Sequence, residues 1–179
     1  MRRTAQWKII KGKTSVLIVA AHAAPHLRRG KVLPADIGTA AFVSELCRRT
    51  QSWGIIALRS QPDPNWYCTS PFRKEVFRLI REQHLRVVID VHGRRITWPR
   101  IIDAYPNSFF RKQFKRLMPA NFSVQKFKKN AQITIVEDLA RKGIPGIELE
   151  IRKDGRIGPK REQVFRTVLL FIRSIVNIL

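Results

Sequence analysis

Two periods of apolar residues alternate along the chain. Val16-Leu17-Ile18-Val19-Ala20-Ala21 is an unbroken apolar run ending at His22, the pattern of a central strand covered on both faces. In Val87-Val88-Ile89-Asp90-Val91-His92-Gly93 the period of two points Val87, Ile89 and Val91 one way and Val88, Asp90 and His92 the other. That strand carries polar chemistry at its carboxyl end, and Gly93 is expected to turn the chain there. Gly146–Arg152 splits likewise, with Ile147, Leu149 and Ile151 on one face and Glu148, Glu150 and Arg152 on the other. Trp7–Ile10, Ile55–Leu58 and Arg100–Asp103 are shorter strands, and Ser123–Phe127, flanked by Lys126, Lys128 and Lys129, fits an edge strand.

Helical spacing fills the intervals. Asp36-Ile37-Gly38-Thr39 opens a helix with Phe42, Val43, Leu46 and Cys47 on one face. Ser70-Pro71 supplies a cap and first helical position for a helix burying Phe72, Val76, Leu79 and Ile80. Ser108 onward (Phe110, Phe114, Leu117), Thr134–Ala140 and Gly158 onward are further helices, whereas 23–35 and Gln61–Thr69 are loops rich in Pro and Gly or Asn. Alternating strands and helices predict a three-layer αβα domain with a mainly parallel mixed sheet, spanning residues 1–179 as one unit.

Composition narrows this slightly. Cys47 and Cys68 form no CxxC pair, so neither a disulfide framework nor a cysteine zinc site is indicated, and a reducing cytoplasm is the simpler setting. The most apolar stretch, VFRTVLLFIRSIVNIL, is broken by Arg166, Arg173 and Asn177. It reads as an amphipathic helix, so no membrane span is expected. The basic N-terminus leads into only seven apolar or small residues, SVLIVAA, and no secretory signal is expected.

Charge changes the picture more. The chain has 35 Lys and Arg against 13 Asp and Glu, formally +22, a field that attracts polyanions without choosing among them. Nucleic acid bound non-specifically through that surface is one reading, with Trp66, Tyr67 and Trp98 available to stack on bases. No RNP, KH or zinc-finger pattern accompanies it. Acids being scarce, their positions carry information: Asp36, Asp63, Asp90, Glu148 and Glu150 all fall at predicted strand ends, turns or the paired-Glu strand.

His22, Asp36, His92 and Glu150 stand out on this frame. Two imidazoles and a carboxylate with a fourth position open make a catalytic zinc site, and a further carboxylate is needed to move the water's proton. The ligands are 14 and 56 residues apart, with no compact HExxH motif. Read singly, each residue has a structural alternative: core histidines, a helix cap at Asp36, and a solvent-facing edge for Glu148 and Glu150.

The order LIVAAH, ADIGT, DPN, VIDVHG and GIPGIELEIRKD resembles the N-formylglutamate amidohydrolase family, within the wider zinc-carboxypeptidase-like hydrolases, over roughly residues 15–175. The resemblance implies a phosphorylase/hydrolase-like αβα fold with zinc on His22, Asp36 and His92, and Glu150 as general base. Asp63-Pro64-Asn65 matches an Asp-x-Asn element, preceded by Arg59. Arg59, Asn65, Arg94, Arg95 and Arg152 are candidates for holding a substrate carboxylate, and Asp90 either orients an imidazole or accepts backbone hydrogen bonds. Three departures stand: Ala21 replaces the usual proline before the first histidine while Pro25-His26 follows four residues later, making His26 a rival ligand; Asp36 stands where related enzymes often use Glu; and the chain is shorter and far more basic than typical members. The expected activity is hydrolysis of an amide bond in a small anionic amide or acidic peptide. The rival is a degenerate hydrolase fold serving as a basic nucleic-acid-binding module.

Overall fold

In the computed structural model, which describes residues 5–107, 110–126 and 134–179, four parallel strands make the centre of a seven-stranded sheet. These are β2 (Val16–Ala20), β5 (Trp53–Ala57), β7 (Val87–Arg94) and β10 (Gly146–Arg152). β1 (Trp7–Ile10) lies antiparallel against β5. At the other side β8 (Ile102–Pro106) lies antiparallel against β10, and β9 (Ser123–Val124) parallel to β8. The order is β1-β5-β2-β7-β10-β8-β9.

One face of this sheet is apolar throughout. Val16, Ile18, Val87, Ile89, Val91, Ile147, Leu149 and Ile151 pack beneath α1 (Thr39–Thr50) and α6 (Arg161–Val176). The opposite face is divided. Its amino-terminal part, with Leu17, Val19, Ile55 and Val88, packs beneath α2 (Pro71–Glu82) and α4 (Ile135–Ala140). Its carboxyl-terminal part carries Asp90, His92, Glu148 and Glu150, aligned across β7 and β10 as Asp90↔Glu148 and His92↔Glu150. The three-layer reading therefore holds, and the polar half of one face marks where chemistry collects.

Several elements depart from the sequence reading. The stretch after His22, expected to be loop, forms β3 (His26–Arg28) and β4 (Lys31–Leu33), a hairpin that pairs through β3 with β6 (Gln61–Pro62). β8 begins two residues after the expected start, and the Arg100–Ile101 pair stays outside it. A short α5 (Lys153–Arg156) follows β10. α3 (Arg111–Leu117) and β9 confirm elements expected near them. Ser108, Phe127, Lys128 and Lys129, assigned to those elements from sequence, lie outside the described residues.

Gly93 does not turn the chain, because β7 runs through it to Arg94. What requires glycine is close approach: a Cβ there would lie 2.1 Å from Nη1 of Arg156. Ser70 does not cap α2 with its side chain, its hydroxyl donating instead to the Pro62 carbonyl at 3.2 Å.

Candidate metal centre

His22 leaves the end of β2, and His92 projects from β7 two strand positions beyond Val88's neighbour Asp90. The two strands are parallel neighbours, which brings the imidazoles edge to face with ring centroids 4.6 Å apart. Their Nδ1 atoms face one another at 3.0 Å. Asp36 closes the group, its Oδ2 lying 3.9 Å from His22 Nδ1 and 3.7 Å from His92 Nδ1. Asp36 does not cap α1, whose cap is Gly38 in the left-handed region without a side-chain bond. Its Oδ2 instead accepts the Gly93 N–H at 2.9 Å.

The far nitrogens of both rings are held by carboxylates. His22 Nε2 lies 2.8 Å from Asp63 Oδ1, and His92 Nε2 lies 2.9 Å from Asp90 Oδ2. A carboxylate at Nε2 places the proton there and leaves Nδ1 as a lone pair. With His92 protonated, as its carboxylate neighbours favour, this contact is an Nδ1–H···Nδ1 hydrogen bond; with both rings neutral, the two facing lone pairs suit a cation between them. Ligand atoms about 2.0–2.1 Å from a tetrahedral zinc lie about 3.3 Å from one another, and the three separations here bracket that value. The residues present therefore fit zinc.

Asp63 is a residue whose role the sequence reading missed. It is fully buried. Besides His22 it receives Arg28 Nε at 2.6 Å and Nη2 at 2.5 Å, and its Oδ1 accepts the Asn65 N–H at 2.9 Å. Asn65 in turn donates to Asp90 Oδ2 at 3.1 Å and accepts the Ile135 N–H at 2.8 Å. Asn65 lines the cleft, but its amide braces Asp90 and the start of α4.

The other sequence candidates separate clearly. His26 stacks on His22 at 3.8 Å centroid separation, with its Nε2 3.8 Å from Asp63 Oδ2. It could join His22 and Asp63 around a cation. However, Asp63 already serves His22 and Arg28, and the His22–Asp36–His92 set has no such competition. Glu148 and Glu150 both line the cleft, and Arg94 Nη2 holds Glu150 Oε1 at 3.0 Å. The strand bearing them is interior, not a solvent-facing edge. Arg59 is exposed and outside the cleft lining, because the chain leaving β5 turns outward at 58–60. Arg152 spends its fork on Asp154, with Nε and Nη2 each at 2.6 Å, and also lies outside the lining. Arg28 and Arg29, stacked on Trp66 at 5.5 and 4.4 Å, line the cleft in their place.

Burial and charge act strongly on these groups. Burial pushes the Glu148 carboxyl up to about 8 and raises Glu150 as well. Burial opposes the charged form of His92, yet the Asp90 and Asp36 carboxylates hold its pKa well above the usual histidine value. Burial, then the neighbouring His22, lowers His26 to about 4. Asp63 lies below the usual carboxylate range, since His22 and Arg28 outweigh its burial. Five carboxylates (Asp36, Asp63, Asp90, Glu148, Glu150) meet four guanidinium groups (Arg28, Arg29, Arg94, Arg156) around the histidines.

No family model matches this chain, and no curated protein matches it by sequence. Solved structures do match. A gene product from Agrobacterium tumefaciens superposes with a TM-score of 0.69 at 16% identity, over 97% of this chain and 94% of that one. N-formylglutamate amidohydrolase from Ralstonia eutropha gives 0.58 at 13% identity, over 97% and 99%. The chain shares its fold with these structures, and also with a PAC2 family protein from Streptomyces avermitilis, with a TM-score of 0.53 at 11% identity over 90% and 86%. A bacteriophage poly-gamma-glutamate hydrolase shares it, with a TM-score of 0.56 at 12% identity over 97% and 89%. The resemblance read from the sequence motifs is thus matched by architecture. A fold hosts many activities, and the residues of the site decide among them. Among the described residues no helix is long and apolar enough to cross a membrane.

Proposed function

We propose that this protein is a zinc-dependent hydrolase of amide bonds in anionic substrates. The observation that carries the reading is the pair of imidazole Nδ1 atoms facing each other at 3.0 Å, with both Nε2 atoms engaged by carboxylates and Asp36 beside them. His22, Asp36 and His92 would hold zinc, which supplies Lewis acidity toward a carbonyl and lowers the pKa of a water to ~7. Glu150 faces the same cleft from the strand position aligned with His92. Its carboxylate accepts the proton of the attacking water and returns it to the departing nitrogen. Arg94 fixes that carboxylate by binding Oε1. Asp63 and Asp90 hold the tautomer and orientation of the two imidazoles. Arg29, stacked on Trp66 at the cleft wall, suits a carboxylate of the substrate, with Arg28 held beside it by Asp63. The nucleic-acid reading gains nothing from this arrangement, in which carboxylates and imidazoles converge.

Glu150→Gln tests the assignment, because it keeps shape while removing the basic oxygen. The variant is expected to retain the metal and to lose activity on the order of 10²-fold or more, against a panel of N-formyl and N-acyl amino acids and short acidic peptides. Glu148→Gln, one pleat repeat earlier and aligned with Asp90, is expected to cost much less. Equal rates for Glu150→Gln and the unaltered protein on a hydrolysed substrate would remove Glu150 from the mechanism.

A further inference from the structure

Beside the main cleft, whose volume is about 1060 Å³, lies a second cavity of about 420 Å³. The two share Pro34, Asp36, Gly93 and Arg94, so only the Asp36–Gly93 contact and its neighbours divide them. The second cavity is lined by Arg95, Lys153 and Arg156 as well as Arg94. Asp36 is the only acid in its lining, and its Oδ2 is already engaged by the Gly93 N–H.

Arg156 is the unusual member. It is 4% exposed, yet among the described residues it takes part in no ion pair, and its Nε has no hydrogen-bond partner. Its one side-chain hydrogen bond goes from Nη1 to Thr39 Oγ1 at 2.7 Å. The guanidinium packs closely on Gly93, so a side chain at that position would displace it. Asp36 and Glu150 attract this buried cation only from beyond ion-pair distance, which leaves much of the cost of burying it uncompensated. Arg95 and Lys153, both exposed on the same cavity, are likewise in no ion pair among the described residues. Trp98 completes the lining, with Arg94 stacked 4.9 Å from its ring centroid.

From this cavity, where Arg95, Lys153 and Arg156 converge outside any ion pair among the described residues, we infer an anion subsite for a further carboxylate of the substrate. The substrate then carries acid groups on both sides of the candidate metal centre, one toward Arg28 and Arg29 and one toward Arg95, Lys153 and Arg156. This rests on the hydrolase reading above, because it takes the occupant to be part of an amide substrate. The combined volume exceeds what one N-acylated amino acid needs, which favours an extended acidic chain over a single residue.

The test is calorimetric binding to the full-length, zinc-loaded Glu150→Gln protein, which holds ligand without consuming it. The probes are γ-linked triglutamate, N-formylglutamate and inorganic phosphate. Adding Arg95→Met and Lys153→Met together is expected to weaken triglutamate binding by about tenfold, with a smaller factor for N-formylglutamate. These positions are exposed, so the comparison does not depend on the buried Arg156 tolerating change. Equal weakening of both ligands, or none, overturns the inference. Phosphate binding in this cavity more tightly than triglutamate also overturns it, by showing a phosphate site. Turnover by the unaltered protein is read separately. Triglutamate held through Arg95 and Lys153 but never cut would sink the hydrolase reading and leave the subsite standing.

Discussion

Asp63 shows how much one carboxylate can organise. It is fully buried, it orients His22 through Nε2, and it anchors Arg28 at the cleft wall. Asp63→Asn keeps the size of the side chain but loses the charge that holds the His22 tautomer. Zinc affinity is expected to fall about 10–100-fold, the usual effect of losing a partner behind a ligand, read by competition with a chelator. Unchanged affinity would mean that His22 is oriented by something else. At this scale His22, Asp36, His92 and Glu150 were legible as candidates because they stand at a strand end or a helix start or alternate with apolar neighbours. It did not show the roles of Asp63, Arg28 or Arg156, whose partners lie 41, 35 and 117 residues away. No periodicity reports such contacts. Arg59 and Arg152 were drawn toward the site by motif position alone, and local geometry takes both elsewhere: an outward turn for one, Asp154 for the other.

Elements set the site by what they cover. α1 and α6 bury the apolar face of the sheet completely, and Phe42 meets Phe165 edge to face across that layer, centroids 5.3 Å apart at 80°. Phe165→Ala is expected to destabilise the fold by about 3–5 kcal/mol, measured by denaturant unfolding, while the folded protein still binds zinc. Loss of the metal from folded Phe165→Ala protein would show that the two faces are coupled. The long elements were legible because their periods run for many residues; β10 was read to its exact bounds as Gly146–Arg152. The β3–β4 hairpin was not, since strands of three residues containing His, Arg and Lys carry no apolar alternation. Its pairing with β6 across more than 30 residues places His26 beside His22, which no local pattern reveals.

The whole molecule sets opposite charges against each other, a formal +22 overall and a carboxylate-rich centre. The outer field steers anions inward, so kcat/KM for an anionic substrate is expected to fall severalfold as the Debye length shrinks from about 10 Å at 0.1 M salt to about 3 Å at 1 M. A neutral N-acyl amide should show little of that dependence, and equal salt sensitivity for both would remove steering as the purpose of the charge. Alternation along the chain gave the αβα class, but the strand order and the antiparallel β8 come from crossovers that sequence pattern does not encode. The centre is where those crossovers bring β2, β7 and the segment before α1 together, and its metal content tests the account most directly. Protein purified without a polyhistidine tag and analysed by elemental spectrometry is expected to hold about one zinc per chain. His22→Ala and His92→Ala should each abolish it, and His26→Ala should retain it. Zinc lost from His26→Ala but kept by His22→Ala would move the centre to the other histidine, and no zinc in the unaltered protein would contradict the account outright.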